Sequence, residues 1–421
     1  MSLYDEILAS LQVSPQLVRQ VAGQFAAALS GVSGRCGLKM LDSRFRPPSG
    51  REQGEALALD FGGTNLGLFL VKLDSRSFRI LKQKVVSIRP GHSGPDLAAE
   101  AADGEQLFDY IAAQLEGFVS PGRPYRLGHC FSFPFRQLSR NSGLLLEWTK
   151  EIKTRGVVGQ DVNRLLGQAL KRRGLDLIKP AAILNDTVAT LLCAAYLDDR
   201  ADLGSICGTG YNSCFRDRGG RIINVEAGNF FTDILPVNHY DLELDRLSHN
   251  RGHQRLEKMV SGAYLGELFR LMWLDLNRRT ELSTCHNLLA GRYASPHSLD
   301  SRRLADLLSG GAPLTAPGEA ITGPAEAEML RSLALALTVR AARLIAATYA
   351  GIIDYLDPQL RRRHLISIDG SIYEKMPFFA GHIRTAIDEV WAGQAGQIEI
   401  RFMKDSSGLG AALAASMERV Q

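Results

Sequence analysis

Residues 57–73 read LALDFGGTNLGLFLVKL: an apolar run enters, Asp60-Phe61-Gly62-Gly63-Thr64-Asn65 turns it, and an apolar run leaves. Two apolar runs around a glycine turn predict a β-hairpin. An Asn-Gly pair alone would reverse such a hairpin, so an acid, two glycines, a hydroxyl and an amide in one turn serve a further purpose. Glycines let backbone N–H groups approach phosphate oxygens closely, and a threonine hydroxyl adds a donor. Asp60, at the head of the turn, suits a Mg²⁺ held through water, because Mg²⁺ prefers carboxylates with retained waters.

A single glycine-rich turn is weak evidence, since glycine serves any turn needing positive φ. A second of the same design follows. GSICGTGYNSCFRDRGGRIINVEAGNF, from Gly204, sets Gly208-Thr209-Gly210-Tyr211-Asn212 between two apolar segments. Two such hairpins, each opening an α/β half, predict a duplicated architecture with a cleft, both turns facing a common anion. The P-loop pattern GxxxxGK[ST] and a strand-GxGxxG-helix unit are absent from the sequence. Gly408-Leu409-Gly410 opens the last helix too close to the end of the chain to begin a dinucleotide fold.

Around these turns helices and strands alternate, which argues an α/β fold. Ser14-Pro15 reads as an N-cap and first helical position for PQLVRQVAGQFAAAL. A third strand is expected at LKQKVVSIR, a helix at GEQLFDYIAAQLEGF, a strand at YRLGHCFSFPF, and a capped helix at DVNRLLGQALKRRG ending on Gly174. AAILNDTVATLLCAAYL turns from strand to helix at Asn185-Asp186. GGAPLTAPGEAITGPAEAE, residues 310–328, reads as a mobile surface loop between helices.

The chain has 421 residues, 45% of them hydrophobic, enough for about two domains. A net charge of +4 is mild at that length and argues for neither a nucleic-acid nor a membrane partner. Six cysteines form no CxxC pair and no ligand spacing with the nine histidines, which fits free thiols in a reducing cytosol. Met1–Ser10 lacks a basic stretch followed by an apolar one, and no apolar run reaches about 18 residues. A soluble cytoplasmic protein, monomer or homodimer, is expected.

The motifs then carry a resemblance along nearly the whole chain. LALDFGGTN resembles the first phosphate motif of the hexokinase family, within the actin-like ATPase superfamily, and ICGTGYNSCF its second. FSFPF followed by WTKEIKTRGVVGQDV resembles the family's sugar-binding signature, ILNDTVATLL its catalytic strand-helix junction, and INVEAGNF and NRGHQRLEKMVSGAYLGELFRL two further sugar-contacting segments. ISIDGSIYEKMPFF resembles the adenosine-side segment and KDSSGLGAAL the final hinge and helix. The resemblance implies a two-domain actin-like ATPase (ribonuclease H-like) fold with a central cleft. The smaller domain would comprise residues 54–183 plus 404–421, and the larger 1–53 plus 184–403. It implies transfer of the γ-phosphoryl group of MgATP to the 6-hydroxyl of a hexose, glucose foremost, with closure of the cleft excluding water.

Site residues follow from the matched motifs. Asp186, where an apolar strand ends, would be the general base; on its own it would more simply cap the helix TVATLLCAAYL. Lys150 would supply the cation, beside Thr149. Sugar contacts carry over to Ser132, Phe133, Pro134, Thr149, Lys150, Asn185, Asp186, Asn212, Glu226 and Glu257, a set of carboxylates, amides and hydroxyls suited to a ligand with several hydroxyls. Without the resemblance, Glu257-Lys258 would be ordinary surface charge on a helix. Nucleotide contacts carry over to Asp60, Gly62, Gly63, Thr64, Asn65, Gly208, Thr209, Gly210, Gly370, Ser371, Ser407 and Gly408, with Asp60 and Asp186 holding Mg²⁺ through water. Four departures stand out. Gly67 replaces an arginine and removes a cation from the first hairpin. Ala227 replaces an aromatic, Ser406 replaces a glycine and stiffens the last hinge, and Asn250-Arg251-Gly252-His253-Gln254 departs from NPGQ. Two other readings compete: a hexokinase-like sugar sensor with poor turnover, favoured by Gly67 and Ala227, and, far behind it, a chaperone- or filament-type ATPase on the same fold.

Overall fold

The computed structural model describes residues 2–32, 36–89, 91, 94–149, 152–278, 292–310 and 324–417. Strands in chain order are β1 (Leu41–Asp42), β2 (Gln53–Phe61), β3 (Asn65–Asp74), β4 (Phe78–Ser87), β5 (Tyr125–Phe131), β6 (Phe135–Ser139), β7 (Ser142–Leu145), β8 (Ile178–Leu184), β9 (Ala201–Cys207), β10 (Tyr211–Arg216), β11 (Ile222–Asn224), β12 (His364–Asp369) and β13 (Ile398–Phe402). One sheet runs β4-β3-β2-β5-β8, a second β1-β11-β10-β9-β12-β13, and β6-β7 form a separate hairpin. Helices fill the connections, giving the mixed α/β class read from the sequence. Two compact units are distinguished. One comprises Met1–Met40, Ile206–Ser213 and Val225–Phe402; the other comprises Leu41–Ser205, Cys214–Asn224 and Met403–Gln421.

In the second of these units, β2 and β3 form the expected antiparallel hairpin, with Asp60 opposite Gly67. β2, β5 and β8 run parallel, pairing Asp60 with Cys130 and Cys130 with Leu184. One face of this sheet is covered by the helices Gly104–Glu116 and Val162–Arg172. Leu107, Phe108, Ile111, Leu166 and Leu170 pack there on Leu57, Leu59, Phe61 and Leu127. Each helix begins on an aspartate cap, Asp103 and Asp161, whose carboxylate accepts a backbone N–H of the first turn.

Successive strand residues point to opposite faces, so Gly128, next to Leu127, turns to the other side. The helix Ser406–Ser416 lies there, and a Cβ on Gly128 would collide with the Ala411 carbonyl oxygen. On the same helix, a Cβ at Gly410 would collide with the carbonyl of Ala189, in the helix Asp186–Leu197. Glycine inside a helix costs about 1 kcal/mol relative to alanine. The run SSGLGAALAAS therefore reflects close approach of its backbone to β5 and a neighbouring helix.

His129, on β5, is fully buried, and its Nδ1–H donates to Asn163 Oδ1 at 3.0 Å. The direction is set by the Asn163 amide, whose Nδ2 donates to Asn141 and Ala182 carbonyls. Its Nε2 finds no hydrogen-bond partner among the described residues. Burial lowers the His129 pKa to about 4, only partly opposed by the Asn163 bond. An unfolded histidine titrates near 6.5, so between these values the unfolded chain binds more protons and stability falls as pH falls. The expected loss from pH 7 to pH 4 is roughly 3 kcal/mol. Denaturant titrations across that range should show it, and His129→Leu should flatten the slope.

In the first unit, the helix Pro324–Leu356 packs against the helices Pro15–Leu29 and Phe379–Val390. Pro15 stands at its helix's first turn and Ser14 caps it, as the sequence predicts. Residues Ala325–Leu356 are long and apolar enough to cross a membrane, yet 78% of the apolar window is buried inside the protein, as in a core helix. Arg340 interrupts that window and, fully buried, makes a two-pronged ion pair with Asp241 at 2.7 and 2.8 Å. β12 and β13 pair in parallel, from His364–Ile398 to Ile368–Phe402.

Candidate active site

The carboxyl ends of adjacent parallel strands gather polar residues, as open α/β sheets do at ligand sites. Asp60 is the penultimate residue of β2, Ser132 follows β5, and Asn185-Asp186 follows β8. The Ser132 N–H donates to the Phe61 carbonyl at 3.1 Å, and a Cβ on Gly62 would stand 3.5 Å from Ser132 Oγ, so the first turn and the FSFP segment are neighbours. The turn is tied from its other end: the Thr64 carbonyl accepts the Ile88 N–H at 2.9 Å and the Ser87 hydroxyl at 3.3 Å. Gly62, Gly63 and Thr64 are half-buried and Asn65 exposed.

The fully buried Cys130 thiol lies amid this group. Burial pushes its pKa well up, and the Asp60 and Asp186 carboxylates add to the effect. Two acids therefore act on one point between their strands, and the thiol stays protonated.

At the β8 junction the helix cap is Asn185, not Asp186. Asn185 Oδ1 accepts the Thr187 N–H at 3.0 Å and the Thr187 hydroxyl at 2.7 Å. Asp186 is the first helical residue, and its Oδ1 accepts the same Thr187 N–H at 2.8 Å. Thr190 Oγ1 donates to the Asp186 carbonyl at 3.0 Å and bonds the buried Ser406 hydroxyl at 2.8 Å. Ser406, read from the sequence as a stiffening departure, thus ties the last helix to the Asp186 helix.

Phe133 is buried and Pro134 half-buried. The Phe133 ring packs edge-on against Trp148 at 4.9 Å and Phe61 at 5.1 Å, while Trp148 Nε1 donates to the Thr154 carbonyl at 2.8 Å. This aromatic cluster brings Thr149, which follows Trp148, beside the FSFP strand. Lys150 lies outside the described residues, as do residues 311–323 of the segment read as a surface loop. Ser407 and Gly408 stand in the first turn of the helix Ser406–Ser416. Asp405 precedes it at φ 57°, and among the described residues no side chain caps the helix, whose amino end carries the positive end of the helix dipole.

The other unit holds the second turn. Gly208 N–H donates to the Gly210 carbonyl at 3.0 Å. The turn's carbonyls at Gly208 and Thr209 accept N–H groups of Gly262 and Ala263 at 2.9 and 3.0 Å. Gly208 adjoins Gly370-Ser371: a Cβ on Gly208 would be 3.4 Å from Gly370 Cα and Ser371 N. Gly370, at φ 120°, has no room for a side chain, since a Cβ there would lie 2.5 Å from the Cys207 carbonyl. The second turn and the Gly370-Ser371 segment are therefore one structure.

Asn212, Glu226 and Glu257 converge beside it. Asn212 Oδ1 accepts the Ala227 N–H at 3.0 Å, and its Nδ2 donates to Glu226 Oε1 at 3.5 Å. Glu226 sits at φ 57°, a left-handed conformation rare for a residue with a Cβ and common where function dictates placement. Glu257 is no surface charge. Its Oε1 would be 3.0 Å from a Cβ on Gly210 and its Oε2 2.8 Å from one on Gly228, so it fits between two glycines.

Two supports of Glu257 were missed in the sequence. Gln254, at φ 51°, donates to Glu257 Oε2 at 2.6 Å and accepts from Asn250. Buried Lys258 donates to Asp245 at 2.6 Å, and the same carboxylate takes the Gly252 N–H at 3.0 Å, which shapes the loop leading to Glu257. The one available signal was the NRGHQ departure itself, with its glycine and its amides.

Two family profiles, both described as Hexokinase, match residues 3–196 and 202–417. The chain is 33% identical to Hexokinase-7 of Oryza sativa subsp. japonica, over 94% of this chain and 91% of that protein. It is 32% identical to Hexokinase-3 of Mus musculus, over 98% of this chain and 46% of that longer protein. Among solved structures, the hexokinase of Schistosoma mansoni complexed with glucose superposes with a TM-score of 0.83 at 28% identity, covering 98% of each chain.

Proposed function

The chain belongs to the hexokinase family and is an ATP-dependent hexose kinase; on that premise we propose that it transfers the γ-phosphoryl group of MgATP to the 6-hydroxyl of glucose, with Asp186 as general base. The observation that carries this reading is the placement of Asp186. It stands at the carboxyl end of β8, one residue past the Asn185 cap, on the strand edge that also presents Ser132 and Asp60. An alcohol is a weak nucleophile, so a carboxylate that accepts its proton as the phosphoryl group arrives is what the chemistry requires. Ser132, Thr149 and Asn185 would orient the sugar in this unit, and Asn212, Glu226 and Glu257 would bind its hydroxyls in the other. Lys150 would meet the developing charge. The glucose complex of the Schistosoma mansoni hexokinase supports glucose as the hexose.

The two glycine turns, with Ser407 and Gly408, would hold the polyphosphate, and Gly370-Ser371 the adenosine side. Asp60 and Asp186 fit a Mg²⁺: two carboxylates are the donors that a hard cation keeping most of its waters takes. When bound, the ion would neutralise phosphate charge. Closure of one unit toward the other on sugar binding would exclude water as acceptor. The free thiols among the described residues suit a cytosolic setting.

The position of transfer is tested with 6-deoxyglucose. It should compete with glucose yet yield no phosphorylated sugar by ³¹P NMR. A phosphorylated 6-deoxy product would place transfer at another hydroxyl and overturn the assignment.

A further inference from the structure

Phe69 is on β3, two residues beyond Gly67, and is buried. Its ring occupies two glycine notches at once. A Cβ on Gly67 would lie 2.8 Å from Phe69 Cε2, and a Cβ on Gly408 2.5 Å from the same atom and 2.6 Å from Cδ2. Real Cβ atoms do not approach so closely, so neither position can carry a side chain while the ring stays where it is. Gly67 faces Asp60 across the first hairpin. Gly408 is in the uncapped first turn of the helix Ser406–Ser416. The ring therefore spans the hairpin that carries Asp60 and Thr64 and the helix turn that carries Ser407. Restoring a long side chain at Gly67 is blocked by this packing, whatever charge it would bring.

We propose that Phe69 is a positioning residue for the phosphoryl donor: it sets the spacing between the first phosphate turn and the amino end of the last helix, so that N–H groups of both face one polyphosphate. The proposal rests on the functional reading above and adds the part that registers its two phosphate-binding segments. An aromatic ring suits the task because it is rigid and fills both notches without polar demands. A leucine would leave part of the space empty, and an alanine most of it, letting the turn and the helix shift. Ser406 supports the same registry from the far side, through Thr190 to the Asp186 carbonyl.

The test compares wild type, F69L, F69A, G408A and the double variant F69A/G408A by steady-state kinetics, by calorimetric ADP binding without sugar, and by thermal unfolding. F69A is expected to raise the KM for MgATP and the Kd for ADP about tenfold or more, leaving the KM for sugar within about twofold. F69L should fall between. G408A alone should weaken ADP binding strongly, and the same methyl should cost much less on the F69A background, because the ring it meets is gone.

Should F69A not fold, F69L and G408A still read the split between the two KM values. Unfolding at lower temperature with ADP affinity unchanged would make Phe69 a packing residue only and overturn the proposal. Additive effects of F69A and G408A would do so as well. If wild type binds ADP but shows no sugar-dependent turnover, the kinase reading fails, while the ADP series still decides the role of Phe69.

Discussion

Asp186→Asn is expected to lower kcat by about 10²–10⁴-fold, with the KM for sugar changed only a few fold. The amide is nearly isosteric, and its oxygen can still accept the Thr187 N–H that Asp186 Oδ1 takes at 2.8 Å. Asn185 caps the helix independently. The variant should therefore melt with wild type, which separates lost proton acceptance from lost structure. A loss in kcat without a loss in sugar binding marks an interaction made in the transition state. Steady-state kinetics beside a thermal melt checks it. A variant retaining more than about a tenth of wild-type kcat would remove Asp186 from the role of base.

Gly128→Ala should be the most damaging single methyl among the strand glycines of the Asp60 unit. The added Cβ would run into the Ala411 carbonyl, which belongs to helix backbone and has no flexible end to yield. Overpacking of a buried contact typically costs about 1–3 kcal/mol, and backbone collision lies at or beyond the upper end. At about 2–4 °C per kcal/mol the melting temperature should fall by roughly 6–12 °C. Turnover should fall too, since the displaced helix carries Ser407 and Gly408. Gly167→Ala is the control: its Cβ would meet nothing within 4 Å in the helix Val162–Arg172, and a gain of up to about 1 kcal/mol is expected there. Equal melting temperatures for Gly128→Ala and wild type would contradict the close approach of strand and helix.

The residues that could be read from the sequence are those whose chemistry is local. Both glycine turns were visible because each sets glycines beside a threonine and an amide between two apolar runs, the first with an acid as well, and the strand-helix junction at Asn185-Asp186 was visible as an apolar run ending in polar residues. Its inner assignment was not: both residues are good caps, and only the Thr187 N–H and hydroxyl geometry gives that role to Asn185. Glu257 read equally well as surface charge, because the glycines it fits between, Gly210 and Gly228, are distant in sequence.

The same holds for Phe69, whose partners lie 2 and 339 positions away (69 − 67 and 408 − 69), and for Ser406 with Thr190. Their meaning depends on which surfaces the fold brings together. His129 had no motif signal at all, standing with Arg126 as a polar residue in an otherwise apolar strand. Gly67 was read as a missing charge, and the structure adds a steric reason for it.

Sugar-dependent phosphoryl transfer is tested most directly by ADP release from MgATP by the purified protein, with no sugar and with glucose, mannose, fructose or N-acetylglucosamine in turn. Near-zero release is predicted without sugar and, with glucose, one ADP per sugar phosphate formed. ADP release at the same rate without any sugar, or no release with any sugar while sugar still raises the melting temperature, would contradict the kinase reading.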